Sequence, residues 1–190
     1  KLVIMTGVSG SGKTSIAREL EKQGHNVIQS YTTRAARHEG EWGHTFIKGK
    51  LSDNGKDIIS GSGIFSRSNM IAYFNSYNSG NHYFATDGQV VRAKTNIYIV
   101  DPEGAKMVHE FYEQEDVEVI TIYLNVDERV RADRLLGRVE DITFSRMFTD
   151  EPAKCPEVYA RIRPDREIFS IAKCDYSINA NGSIEDVVEK

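Results

Sequence analysis

Cysteine is nearly absent. Cys155 and Cys174 are the only two, with 18 residues between them, a spacing that suits neither a disulfide framework nor a zinc knuckle and that fits a reducing cytoplasm. The five histidines are scattered, so a metal held by a histidine cluster is not expected. Long apolar runs are missing too. Nothing approaches the ~20 residues that span a bilayer, and "KLVIMTG" is too short for a secretory signal, so no membrane partner is expected. Charge of one sign is not in excess: 24 Lys and Arg stand against 28 Asp and Glu, a net −4. Nothing global therefore advertises nucleic acid, and any polyanion site must come from local arginine clusters. Repeats and low-complexity tracts are also lacking. What remains, 39% hydrophobic and 27% charged over 190 residues, suits one compact domain with a substantial core.

Apolar runs and helical spacings alternate along much of the chain. "LVIMT" at 2–6 reads as a buried parallel strand, followed by a helix over 13–22 whose Ile16, Ala17 and Leu20 share one face. Further strands are expected at 26–29, 96–101, 117–126 and 175–180. Helices are expected after Pro102, from Asp127 to Arg138, across 156–173 with a kink at Pro164, and over 183–190. This order predicts an α/β fold, a doubly wound five-stranded parallel sheet. Two stretches break it: 30–86, where segments such as "MIAYFNSY" read as antiparallel hairpins, and 139–158, with little periodicity. Excursions of that length are commonly binding lobes or lids.

"GVSGSGKT" at 7–14 matches G-x-x-x-x-G-K-[ST] at each fixed position, between the first strand and the first helix. Gly7, Gly10 and Gly12 let the backbone wrap a phosphate closely, and the amides across Ser9, Ser11 and Ser15 become donors. Lys13 adds a compact positive charge near the β/γ-phosphates, and the Thr14 hydroxyl suits Mg²⁺. The pattern predicts ATP as a bound nucleotide with Mg²⁺. Asp101, at the end of the third strand, is the natural second acid for the metal, and it also stands where it can cap the helix beginning at Pro102.

Residues 30–46 read "SYTTRAARHEGEWGHTF", with Arg34 and Arg37 three apart behind four hydroxyl-bearing residues. Guanidinium forks hold phosphate oxygens in pairs, which suits a second phosphate site. With the P-loop in place, the chain resembles the guanylate kinase family of nucleoside monophosphate kinases. That family carries S-x-T-T-R-x-x-R-x-G-E, matched here by Ser30, Thr32, Thr33, Arg34, Arg37, Gly40 and Glu41 with one extra residue before Gly40. Its G-N-x-Y is matched by Gly80, Asn81 and Tyr83, and its I-L-D-I-D-x-Q-G-A resembles "IYIVDPEGA". Its R-L-x-x-R is similar to Arg134–Arg138, and its D-Y-x-I-x-N ending to "DYSINA".

The resemblance implies a core of 1–29, 87–138 and 159–190, a lobe over 30–86 for the acceptor monophosphate, and a lid over 139–158. It implies that Ser30, Arg34, Arg37 and Tyr83 grip the acceptor phosphate, with Asp101 near the acceptor. Arg134, Arg138 and Arg161 would close over the transferring group. The implied reaction moves the ATP γ-phosphoryl to GMP or dGMP. Small-molecule nucleotides are the expected partners, and the chain would act as a monomer or homodimer. Departures fall where the base is read. The family's guanine-reading glutamate aligns with Phe74, its serine or threonine with Ala85 (Thr86 follows), and a family tyrosine with Phe46 or His44. Glu39, Glu41 and Asp87 are candidate replacements for the glutamate. Another base preference, a ribose-bisphosphate acceptor and a non-catalytic interaction module remain open alternatives.

Overall fold

The computed structural model describes residues 1–76, 79–136, 169 and 173–190. Five parallel strands form the central sheet: β1 (Leu2–Thr6), β2 (Asn26–Ile28), β10 (Asn96–Ile99), β11 (Val119–Asn125) and β12 (Tyr176–Asn179), in the order β12-β11-β1-β10-β2. The expected α/β class and five-stranded parallel sheet are both present. The first strand has the bounds expected of it, and the other four are each one to three residues shorter than the apolar pattern suggested.

The central strand explains the winding. Leu2 and Ile4 pack with Ile28, Tyr98 and the buried face of α2 (Pro102–Tyr112), whereas Met5 packs with Ile16 and Ala17 of α1 (Lys13–Lys22). Successive side chains point to opposite faces, so an apolar run without alternation needs cover on both. Val187 of α4 (Ile184–Val188) joins the α1 side, and Ser183 caps that helix by accepting from the Asp186 N–H. A further helix, α3, spans Glu128–Leu136. Of the helix expected across 156–173 only Phe169, which is helical, and Lys173 are among the described residues, and the lid at 139–158 lies outside them. Among the described residues no helix is long and apolar enough to cross a membrane.

The segment between β2 and β10 builds two further sheets. One has the order β4-β3-β9-β8, from His44–Phe46, Ser30–Thr32, Asn81–Thr86 and Met70–Ser76. The other is an antiparallel meander of β5 (Gly49–Leu51), β6 (Asp57–Ser60) and β7 (Gly63–Ser66). Hairpin pairing holds for β8 with β9, but β3 and β4 run parallel. Parallel neighbours need a crossover rather than a tight turn, and that crossover is residues 33–43, the arginine-bearing stretch.

Candidate functional site

The P-loop joins β1 to α1 at the carboxyl end of the parallel strands, where ligands of open α/β sheets bind. Gly10 and Gly12 take φ of +84° and +99°, a region that favours residues without a Cβ. A Cβ on Gly10 would also lie 3.0 Å from the Arg131 carbonyl oxygen. Lys13 folds back into the loop: its Nζ donates to the Gly7 carbonyl at 2.6 Å and the Val8 carbonyl at 2.9 Å, with Ser11 Oγ at 3.4 Å. No side chain caps α1 at Gly12, and the N-terminal end of a helix turns its first-turn N–H groups and its positive dipole end toward an anion. A cradle of glycine-permitted backbone, an ammonium and an uncapped helix end fits a nucleotide phosphate. Thr14, exposed in the first turn, supplies a hydroxyl oxygen. Asp101 supplies a carboxylate whose Oδ1 already accepts from the Gly104 N–H at 2.7 Å. Hard oxygen donors of this kind suit Mg²⁺, which takes one or two carboxylates and completes its shell with phosphates and water.

Two arginines of α3 reach the outside of the loop. Arg131, 4% exposed, donates from Nε to the Ser9 carbonyl at 2.8 Å. Arg134 donates from Nη2 to the Ala180 carbonyl at 2.9 Å and the Gly182 carbonyl at 3.2 Å, and its Nη1 stands 3.4 Å from the Ser11 carbonyl. Arg134 thus bridges the P-loop to the β12–α4 turn and walls a 290 Å³ cavity with Ser11, Gly12, Ser15 and Gly182. Arg138 and Arg161 lie outside the described residues.

The second cavity follows from the pleat of the β4-β3-β9-β8 sheet. Directly opposed residues share a face. The pairs Ser30 with His44, Thr32 with Tyr83, and Tyr83 with Phe74 therefore put His44, Ser30, Tyr83 and Phe74 on one side. The other side carries Tyr31 and Phe84 onto Ile58 and Phe65 of the meander. The first face closes a 180 Å³ pocket against Tyr98 and the Val100–Gly104 turn. Its polar groups are partly engaged: Ser30 Oγ lies 3.1 Å from the Tyr98 hydroxyl. Burial pushes the Tyr98 hydroxyl up to about 12, against the opposing hydrogen bond from Ser30. Burial, and then the Arg34 charge, lower His44, so its imidazole is neutral at pH 7. Its Nδ1 is buried without a hydrogen-bond partner.

Ser30, Tyr83 and Asp101 thus meet in one pocket, and Arg34 interacts with two of its walls, Tyr83 and His44. The arginine fork is already engaged. Arg34 Nη2 and Nη1 donate to the two Glu41 oxygens at 2.6 and 3.0 Å, with the guanidinium 5.0 Å over the Phe46 ring. Glu41 also accepts the Arg37 N–H at 2.7 Å, while the Arg37 side chain is 70% exposed. Arg34 Nε is buried and unpartnered. Trp42 pins the same crossover to α1, its indole N–H donating to Glu21 at 3.3 Å beneath the Arg18 guanidinium.

The candidate acids sort by whether they line this pocket. Glu41 is held by Arg34, Asp87 accepts from Tyr112 at 2.6 Å and Arg92 at 2.9 Å, and Glu39 is exposed on the crossover. None of these three lines the pocket; Asp101 and Glu103 do. Glu103, Tyr98 and Arg131 escaped the sequence reading as site residues, and His44 entered it only as one of two positions aligned with a family tyrosine. For Glu103 the only signal was its place one step after the proline of a helix first turn.

The guanylate kinase of Anaplasma phagocytophilum superposes with a TM-score of 0.56 at 19% identity, over 99% of this chain and 80% of that one. A gluconokinase from Sinorhizobium meliloti 1021 gives a TM-score of 0.41 at 13% identity, over 98% of this chain and 86% of that one. No curated protein matches the chain. The first likeness agrees with the fold described above: a P-loop α/β sheet with an inserted lobe. The family model described as an AAA domain matches residues 3–152, well over half the sequence and inclusive of the P-loop, and the chain belongs to that family.

Proposed function

We propose that the chain is an ATP-dependent kinase that transfers the γ-phosphoryl of ATP to the phosphate of a nucleoside monophosphate, GMP or dGMP. The observation that carries this is the shared edge. β1 pairs with β10 so that Met5 stands beside Ile99, and β10 pairs with β2 so that Tyr98 stands beside Ile28. The chain leaving each strand therefore delivers the P-loop, Asp101 and Ser30 to adjacent points at one end of the sheet. A phosphate cradle and an aromatic-walled pocket therefore stand at the same end of the sheet.

In this reading Lys13 and the loop amides hold the donor phosphates. Thr14 and Asp101 would hold Mg²⁺, which offsets charge on the β- and γ-oxygens when bound. Ser30, Tyr83, Arg37 and the Glu41-oriented Arg34 hold the acceptor phosphate. That phosphate has a second pKa near ~6 and is largely ionised at neutral pH, so no side chain need remove a proton. Catalysis rests on holding two polyanions in line and offsetting their repulsion. Glu103 gives the pocket a carboxylate that guanine N1–H and N2–H would bond, which favours a guanine base despite Phe74. The aromatic Phe74 itself, 52% exposed and among the pocket-lining residues, favours the second reading, a different base.

The test is a panel of nucleoside and deoxynucleoside monophosphates and phosphorylated riboses with Mg·ATP, run on wild type and Lys13→Ala. GMP or dGMP should be the best acceptor. Losing one preorganised donor should lower turnover by about 10²–10³ in a variant that stays folded. Near-normal turnover in Lys13→Ala, or no transfer to any acceptor, defeats the reading.

A further inference from the structure

A buried guanidinium is an unusual way to fill space, because removing it from water costs several kcal/mol that an apolar side chain of similar volume would avoid. Arg131 is such a group. It sits on the buried side of α3, 4% exposed, and its Nε donates to the Ser9 carbonyl across 122 positions of sequence. Leu135, one turn on and 3% exposed, packs against the same loop. The missing Cβ of Gly10 is what lets the helix come this close: it would meet the Arg131 carbonyl oxygen at 3.0 Å, Arg131 Cγ at 3.1 Å and Leu135 Cγ at 3.2 Å.

Capturing that one carbonyl has a directional consequence. The Ser9 C=O and the Gly10 N–H belong to a single planar trans peptide group and point in opposite directions. If Ser9 O is held toward α3, the Gly10 N–H is turned away from α3. The neighbouring carbonyls do not share this restraint: those of Gly7 and Val8 face the Lys13 ammonium instead. The loop is thus held from two sides, by Lys13 within and by Arg131 without.

Resting on the phosphate-binding reading above, we infer that Arg131 is a positioning residue for the phosphoryl donor. It holds the Ser9–Gly10 peptide so that the Gly10 amide is aimed at a donor phosphate oxygen before the nucleotide arrives. Preorganised amides of this kind need no reorientation when charge arrives, which is where their binding advantage lies. Arg134, on the same helix, adds a longer contact to the Ser11 carbonyl at 3.4 Å.

Three chain variants separate this role from packing. Arg131→Gln places an amide N–H₂ where Nε stood and lacks the charge. Arg131→Met places a methyl there and lacks the donor. Binding of Mg·ADP is measured by calorimetry, with thermal melts alongside. The dissociation constant should rise roughly tenfold in Arg131→Met, the scale of one hydrogen bond from a charged donor. It should return to within about threefold of wild type in Arg131→Gln. Arg131→Lys, whose ammonium reaches past the Nε position, should fall between them. Wild-type affinity in a folded Arg131→Met overturns the proposal, as does equal loss in Met and Gln. A wild type that binds no Mg·ADP removes the phosphate-binding reading, and this inference with it. Independently of any variant, the Gly10 amide resonance of ¹⁵N-labelled wild type should move downfield when Mg·ADP is added, and a stationary Gly10 signal in a nucleotide-bound sample overturns the proposal.

Discussion

Replacing Gly10 and Gly12 in turn by alanine separates two costs that the P-loop sequence alone treats as one. Both glycines are left-handed, at φ +84° and +99°, and an L-residue there costs about 1–2 kcal/mol. Their surroundings differ. A Cβ on Gly12 meets nothing closer than 3.7 Å, whereas one on Gly10 runs into main-chain oxygen and two buried side chains of α3 at 3.0–3.2 Å. Overpacking of a tight interior contact adds about 1–3 kcal/mol. Gly12→Ala should therefore lose about 1–2 kcal/mol and Gly10→Ala about 2–5 kcal/mol, against the ~5–15 kcal/mol that holds a typical domain. Equilibrium urea unfolding reads the difference directly. With a slope of about 2 kcal/mol per molar, the Gly10→Ala midpoint should lie roughly 0.5–1.5 M below that of Gly12→Ala. Coincident midpoints at equal slope would refute the close seating of α3 on the loop, and the role given to Arg131 would lose its footing.

On the proposed function, Arg37→Ala should raise the acceptor KM and lower kcat while leaving ATP affinity unchanged, because its exposed guanidinium stands on the crossover at 33–43 and not on the P-loop; an equal loss of ATP affinity in steady-state kinetics would contradict that assignment. The Arg34 hydrogen bonds, followed by the Arg37 N–H, hold the Glu41 carboxyl at about 2, below its ordinary 4.5. The folded value lies under the unfolded one, so this stabilisation is complete above pH 4.5 and is lost as pH falls through 2. Acid unfolding of wild type and Glu41→Gln should accordingly converge in stability across that window, and parallel curves would argue against the pair.

Much of this protein was legible locally. The five strands, the P-loop and the helix after it follow from runs and spacings of a few residues, because a parallel strand covered on both faces needs a continuous apolar run and a phosphate loop needs glycine at fixed steps. Asp101 as a helix cap was legible for the same reason: cap and capped amide are three residues apart. The parallel pairing of β3 with β4 was not, since residues 30–86 show the alternation of strands but nothing in that alternation states direction.

The sequence by itself determined that a phosphate loop stands at the end of a parallel sheet and that two arginines follow the second strand. Only the tertiary structure decided what those groups face. It gave Arg34 to Glu41, placed Asp101 and Glu103 on the pocket wall while Glu39, Glu41 and Asp87 stand elsewhere, and brought Arg131 to a carbonyl 122 residues away. The reason is physical: local order is set by steric and hydrogen-bonding choices within a turn or a pleat, whereas the partner of a charged side chain is chosen by whichever group, side chain or backbone, the packed chain carries within about 3 Å of it.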